Sequence, residues 1–259
     1  MKILAIGDIV GSPGRAMIRD FLISIRETLD VDLCIANGEN AAIGNGITRS
    51  IAYELFEHGV DVITMGNHVW NKKDIFRLFD ENLPIIRPAN YPPGTPGRGY
   101  IIVNIKEQRV AVISLAGRIY LDNLDCPFRV AEKELRHIKK LANIIIVDFH
   151  AEATSEKVAM GWFLDGKVSA VFGTHTHVQT ADERILQNGT AYITDIGMTG
   201  PYNSILGVKK EIIMNRFIRH MPERFEVADG PVQFNGVIME IDEATGKASS
   251  INRLLITQK

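Results

Sequence analysis

The sequence predicts an α/β protein in which a mostly parallel or mixed sheet is covered by helices. Two observations carry that prediction. Short apolar runs alternate with helical stripes through the first half of the chain, as expected when strands are joined by covering helices. A later pair of β-prone runs, 101–105 and 109–115, is separated only by a short polar turn and predicts an antiparallel hairpin.

Taken in order, residues 3–6 read as a strand. Ser12 and Pro13 then read as an N-cap and first helical residue, before a stripe of Ile18, Leu22, Ile25 and Leu29. Residues 32–36 form a second strand, and Ala52, Leu55 and Phe56 mark a short helix closed at Gly59. Residues 60–65 are a third strand running into Gly66, and 75–79 a third helix. Parallel order is expected to end at the hairpin that follows Gly99.

A helix over 130–141 leads to the very apolar strand 143–149, and a helix over 156–164 leads to the strand 168–172. Short strands follow at 184–186 and 191–194. Residues 198–231 have Gly and Pro at their ends and a basic, helical middle over 208–220, which reads as a cap-like insertion folded over the sheet. Residues 232–241 are expected to be the final strand. With no internal repeat, low-complexity tract or linker, the expectation is a single domain over 1–259.

Composition narrows the function classes. At 259 residues and 46% hydrophobic content, the chain can bury a core without disulfides or a partner. The net charge is −2 with Lys and Arg scattered, which is not the footprint of a non-specific nucleic-acid binder but leaves a small charged substrate open. Cys34 and Cys126 lie far apart without metal-ligand spacing, so two reduced thiols in the cytoplasm are expected. The apolar run before Asp8 is too short for a signal-peptide core or a membrane span.

The chemistry sits where strands stop. Gly7-Asp8, Gly38-Glu39-Asn40, Gly66-Asn67-His68, Phe149-His150 and Gly173-Thr174-His175-Thr176-His177 each follow an apolar strand directly. In an open α/β sheet the carboxyl ends of the strands face one crevice, so these groups can converge although they are remote in sequence. Two carboxylates, two amides and at least three imidazoles form a hard and borderline donor mixture suited to Mn, Fe or Zn rather than Ca. One ion does not use them all. A pair of ions roughly 3.5–4 Å apart, sharing a carboxylate and a water-derived hydroxide, accounts for the surplus and provides in-line attack at phosphorus. Glu39 is the expected bridge.

Each piece alone also has a plainer reading. Asp8 and the Glu39-Asn40 pair suit turns, and Asn67 suits a helix cap with His68 merely exposed. The two imidazoles of His175 and His177 are the most specific piece, because a buried structural pair would need several satisfied hydrogen bonds. His58, His137 and His220 read as helix-end or surface residues, and Gly11-Ser12-Pro13-Gly14 as helix capping rather than a phosphate cradle.

These residues resemble the calcineurin-like metallophosphoesterases, whose order is Gly-Asp, a second acidic motif, Gly-Asn-His, a lone His and Gly-His-x-His. Two departures stand out: Asp8-Ile9-Val10 lacks the usual histidine, and Gly38-Glu39-Asn40 replaces the usual bridging Asp motif. Both departures are similar to the bacterial YmdB-type phosphodiesterases. Gly7-Asp8-Ile9-Val10-Gly11, Asn37-Gly38-Glu39-Asn40-Ala41, Gly66-Asn67-His68-Val69-Trp70 and Asp195-Ile196-Gly197-Met198-Thr199-Gly200-Pro201 all look like motifs of that family. The resemblance implies an αββα sandwich of mixed sheets flanked by helices. It implies one metal on Asp8, Glu39, Asn40 and His177, a second on Glu39, Asn67, His150 and His175, and His68 as the catalytic residue that is not a ligand. It further implies hydrolysis of 2′,3′-cyclic nucleotides and other phosphodiesters, RNA-derived ones included, with iron or manganese as metals (zinc or magnesium as alternatives), and a homo-oligomer without membrane attachment. Two rival functions remain open at the level of sequence: a phosphomonoesterase or phosphoprotein phosphatase using the same metals, and a metal-dependent protein that binds a nucleotide without turnover.

Overall fold

The computed structural model describes residues 1–258. The first half-domain runs β1 (Lys2–Ile6), β2 (Asp8–Ile9), α1 (Gly11–Leu29), β3 (Leu33–Asn37), α2 (Arg49–Glu57), β4 (Val62–Thr64), α3 (Asp74–Asp80) and β5 (Ile85–Ile86). The second runs β6 (Tyr100–Ile105), β7 (Gln108–Ala116), α4 (Pro127–Ile138), β8 (Ile144–His150), α5 (Thr154–Leu164), β9 (Ala170–Thr174), β10 (Arg184–Ile185) and β11 (Ala191–Ile193). The chain then returns through β12 (Met198–Pro201), α6 (Lys210–Arg219), β13 (Val232–Ile241) and β14 (Ala248–Gln258).

Two sheets result. One has the order β2-β12-β13-β1-β3-β4-β5 with β14 on β13, and the other the order β10-β11-β9-β8-β7-β6. The period-two alternation of the strands decides how they stack. Ile3, Ala5, Leu33, Ile35 and Val62 share one core with Val110, Val112, Ile144, Ile146 and Phe172 of the other sheet. Their neighbours Leu4, Ile6, Cys34, Ala36 and Ile63 pack instead against Met17, Ile18 and Leu22 of α1 and Leu55 of α2. On the far sheet Ile113, Ile145 and Val147 meet Leu135 and Ile138 of α4 and Met160 of α5. Each buried Ile, Leu, Val, Met or Phe among them contributes about 1.5–3 kcal/mol, so a charge at Ile35 or Ile146 would lose that contribution and add the cost of an unpaired buried charge. The layers are α, β, β, α, as the family resemblance implies.

Several local expectations are corrected. Parallel order does not end at the hairpin: β7, β8, β9 and β11 are mutually parallel, because α4 and α5 are crossover helices, and only the flanking β6 and β10 are antiparallel. Ser12 is not the N-cap of α1. That helix begins at Gly11 after Val10 with no side-chain cap, and the Gly11 N–H is satisfied by the Asn40 carbonyl at 3.0 Å. The strand over 232–241 is not the last. β14 follows it and pairs along the length of β13, and its largely exposed side chains hide the apolar signature of a strand. β2, β5 and β12 are two to four residues long, too short for a period to show.

The segment 198–231 starts inside the first sheet, with β12 pairing β2 and β13, before leaving it as an excursion whose helix α6 buries only Ile213. The parallel strands β1, β3 and β4 of one sheet and β8 and β9 of the other all end at the same edge of the sandwich.

Candidate metal centre

All seven sequence-predicted donor residues meet at that edge. Asp8 opens β2, Glu39 and Asn40 follow β3, Asn67 follows β4, His150 ends β8, and His175 and His177 follow β9. Around His150 Nε2 lie Asn67 Oδ1 at 2.9 Å, His175 Nδ1 at 3.0 Å and Glu39 Oε1 at 3.1 Å. Glu39, His150 and His175 offer donor atoms all within 4.8 Å of one another. A second convergence adjoins the first: the Asn40 amide lies 3.2 Å from His177 Nε2, 3.3 Å from Asp8 Oδ1 and 3.4 Å from Glu39 Oε1. Glu39 belongs to both.

The donor set fits a cation on chemical grounds. His150 Nε2 carries one proton at most, yet three atoms with free lone pairs crowd it. Hydrogen bonding satisfies one of them, whereas a cation satisfies all four. The mixture of carboxylate, amide oxygen and imidazole suits a borderline transition metal. The Asn40 amide joins such a set through its oxygen, which a half-turn of the side chain presents.

The electrostatics point the same way. Burial works against ionising Asp8, but hydrogen bonding and charge from His177 hold its carboxyl well below the usual range. Burial likewise opposes the charged form of Glu39, and His150 outweighs it so that Glu39 stays ionised. Burial lowers the pKa of His150, yet the Glu39 carboxylate raises it to about 9. His175 is pushed down to about 4 by burial and by the neighbouring His150. His177 is raised despite burial, by Asp8. In the metal-free protein the proton on His150 supplies positive charge to a pocket built around two buried carboxylates, and the Asp8 carboxylate favours the protonated form of His177.

Backbone geometry places these groups. Gly66 has no side chain because a Cβ there would overlap Glu39 Oε2 and the His150 ring, and a Cβ on Gly7 would run into the Gly197 carbonyl. His175 and His177 hold φ of 101° and 64°, values rare for side chains of this kind and costing on the order of 1–3 kcal/mol each. His177 Nδ1 donates to the Leu206 carbonyl at 3.0 Å, which leaves Nε2 for the cluster.

His68 stands outside the donor set. Its backbone N–H is anchored on Glu39 Oε2 at 3.1 Å, and its half-buried ring receives the Asn71 amide on Nδ1 at 3.2 Å. That bond leaves the ring proton on Nε2, free to donate. His58 caps α2 with its ring on the Glu54 carbonyl at 2.8 Å, His137 is exposed on α4, and His220 is the left-handed C-cap of α6.

Sequence reasoning missed the residues behind the donors. Asp148 is fully buried, accepts from the hydroxyls of Thr64 at 2.5 Å and Thr174 at 2.7 Å, and burial raises its pKa to about 6. Thr174 in turn lies 2.9 Å from His150 Nδ1, and Asn37 reaches toward Asp148 at 3.4 Å. Glu152 sits 3.1 Å from His175 Nε2. The signal for Asp148 was present: it is the one acid inside the apolar run of β8.

Relatives are recognisable over the whole chain. A family profile described as YmdB-like protein matches residues 4–254. The chain is 52% identical over 256 residues to the 2′,3′-cyclic-nucleotide 2′-phosphodiesterase of Bacillus subtilis (strain 168), covering 99% of this chain and 97% of that protein. A crystal structure of a hypothetical protein from Thermus thermophilus superposes with a TM-score of 0.95 at 41% identity, covering 100% of both chains. That of a novel phosphatase from Mycoplasma pneumoniae superposes with a TM-score of 0.94 at 35% identity, covering 99% of this chain and 93% of that one. No helix among the described residues is long and apolar enough to cross a membrane.

Proposed function

The chain belongs to the YmdB-like protein family, and on that premise we propose that it is a metal-dependent phosphodiesterase hydrolysing 2′,3′-cyclic nucleotides and related phosphodiesters, RNA-derived ones among them. The observation that carries the reading is the meeting of seven donor side chains at two adjoining points with Glu39 common to both.

In this reading Asp8, Glu39, Asn40 and His177 hold one ion, and Glu39, Asn67, His150 and His175 the other. The donor mixture suits manganese, iron or zinc, and the family resemblance favours iron or manganese, with zinc or magnesium as alternatives. Cations held there would supply Lewis acidity, lowering the pKa of water toward neutrality and neutralising charge on phosphate oxygens. The chain's own residues do the rest. The glycine turns and the strained histidine backbone hold the donors in place before substrate arrives. His68, outside the ligand set with Nε2–H free, donates its proton to the leaving alkoxide, or as imidazolium stabilises its charge.

The excursion after β12 bears on the same site, because the Leu206 carbonyl orients His177. We read the chain as one domain with the 198–231 segment as its cap. Exposed Met214, Phe217, Ile218 and Met221 on and just after α6 support a homo-oligomer through that face, and the two free cysteines support a reducing, cytoplasmic setting.

The test is product analysis with a 2′,3′-cyclic nucleotide and Mn²⁺, beside bis-p-nitrophenyl phosphate and p-nitrophenyl phosphate. Turnover of both diesters well above the monoester is expected. Preference for the monoester would make the enzyme a phosphatase, and tight binding without any product would make it a binding protein.

A further inference from the structure

The Asp195-Ile196-Gly197 motif has no part in the donor set, and a buried lysine faces it. Lys157 of α5 is 1% exposed and Asp195, after β11, is 0% exposed. Their charged groups meet at 2.5 Å. We propose that Lys157 and Asp195 are positioning residues that hold the strap carrying His175 and His177 in its metal-binding conformation. The inference rests on the metal reading above.

The hydrogen bonds show what the pair grips. Lys157 Nζ donates to the Thr174 carbonyl at 2.7 Å, on the peptide group immediately before His175. Asp195 Oδ2 accepts the Thr176 N–H at 3.1 Å, immediately after it. The two halves of one ion pair thus clamp the backbone on either side of His175, whose φ is 101°. The Thr176 peptide also lies between the two histidines, so the same clamp sets the spacing of two donors assigned to different ions. Asp195 is itself fixed: its Oδ1 accepts the Gly197 N–H at 2.8 Å, and its backbone N–H donates to Thr180 Oγ1 at 2.9 Å.

A buried ion pair is a poor source of net stability, because desolvating both charges offsets most of their attraction. What this pair supplies is direction. It offers rigid, charge-assisted partners to the Thr174 carbonyl at the end of β9, which otherwise accepts only the Ala151 N–H at 3.4 Å, and to the Thr176 N–H beyond that strand. Neither residue makes a hydrogen bond to the donor atoms themselves; beside the strap only the charges of the pair reach His175 and His177, through space, and the double variant Lys157→Met/Asp195→Asn removes both charges together.

The experiment is a Mn²⁺ titration of the chelator-stripped full-length protein by calorimetry, comparing wild type with Asp195→Asn and with the double variant Lys157→Met/Asp195→Asn. The double variant leaves no unpaired buried charge. The thermal midpoint of each metal-free protein reports folding separately. The expected result is a loss of Mn²⁺ affinity of about 10–100-fold in proteins that remain folded. Wild-type affinity in a folded variant overturns the proposal. A wild type that takes up no Mn²⁺ overturns the metal reading itself. If the variants do not fold, amide hydrogen exchange in the wild type decides: slow exchange at Thr176 is expected, and a Thr176 amide as unprotected as an exposed loop overturns the clamp.

Discussion

The Thr174 hydroxyl sits 2.9 Å from Nδ1 of His150, the residue that ends the neighbouring strand. Its one proton goes to Asp148 at 2.7 Å, so its oxygen must accept from His150, and the imidazole turns Nε2 toward the donor cluster. Thr174→Val removes that acceptor and a donor to Asp148 together. Metal affinity should fall by about 10–100-fold, with stability down by about 1–3 kcal/mol, and Thr174→Ser should restore both. Metal titration and chemical denaturation of the three proteins check this.

Removing the metals should leave stability dependent on pH through His150. Its folded pKa of about 9 lies above the ordinary imidazole value of 6.5, because Glu39 holds the proton on against burial. The folded state therefore binds that proton more tightly than the unfolded chain does. The stability this confers is fully present below pH 6.5 and is lost as pH rises through 9, a gap worth up to about 3 kcal/mol. Urea unfolding of the metal-free protein between pH 6 and 9.5 should show midpoints declining with pH. The same proton must leave when the ring takes a cation, so Mn²⁺ binding at pH 7.5 should release protons, visible as a dependence of the heat on buffer ionisation.

His68→Ala should lower turnover of bis-p-nitrophenyl phosphate by about 10²–10⁴-fold, the usual contribution of a positioned acid. Its ring touches Asn71 rather than the donors, so metal content by elemental analysis should remain near that of the wild type. Full activity at saturating substrate would remove His68 from the mechanism.

Gly66→Ala places a methyl group into the space held by Glu39 and His150. Since both belong to the donor cluster, the variant should fold less stably by about 1–3 kcal/mol and lose measurable metal binding. An alanine variant with wild-type metal content would show that the two side chains can part without cost.

Glu39→Ala removes the carboxylate shared by the two convergences. Metal content should drop at both positions rather than one, and loss of a single ion per chain would assign Glu39 to one ion only.

Much of this site was legible in the chain because strand ends are local events. An apolar run that stops at Gly7-Asp8, Gly66-Asn67 or Phe149-His150 announces both where a strand ends and which polar group it delivers. The alternation of Ile3 and Ala5 with Leu4 and Ile6 is equally local, and it already separates the face toward the other sheet from the face toward the helices. The parts that escaped depend on partners far away in sequence. β2 and β12 exist as strands only because they pair with each other and with β13, and β14 declares itself only against β13. Asp148 and Lys157 look like lapses in apolar segments until the groups that satisfy them are seen.

The sequence by itself determined which polar residues stand at the ends of the longer strands, since residue type and backbone period are properties of neighbouring positions. Tertiary structure alone decided that Asp8, Glu39, Asn40 and Asn67 arrive from one sheet and His150, His175 and His177 from the other. A one-sheet crevice would have left His150 and His177 without the carboxylates that favour their protonated forms. The stacking of two sheets through a shared apolar core brings both sets of strand ends to one edge, and no local pattern encodes that contact.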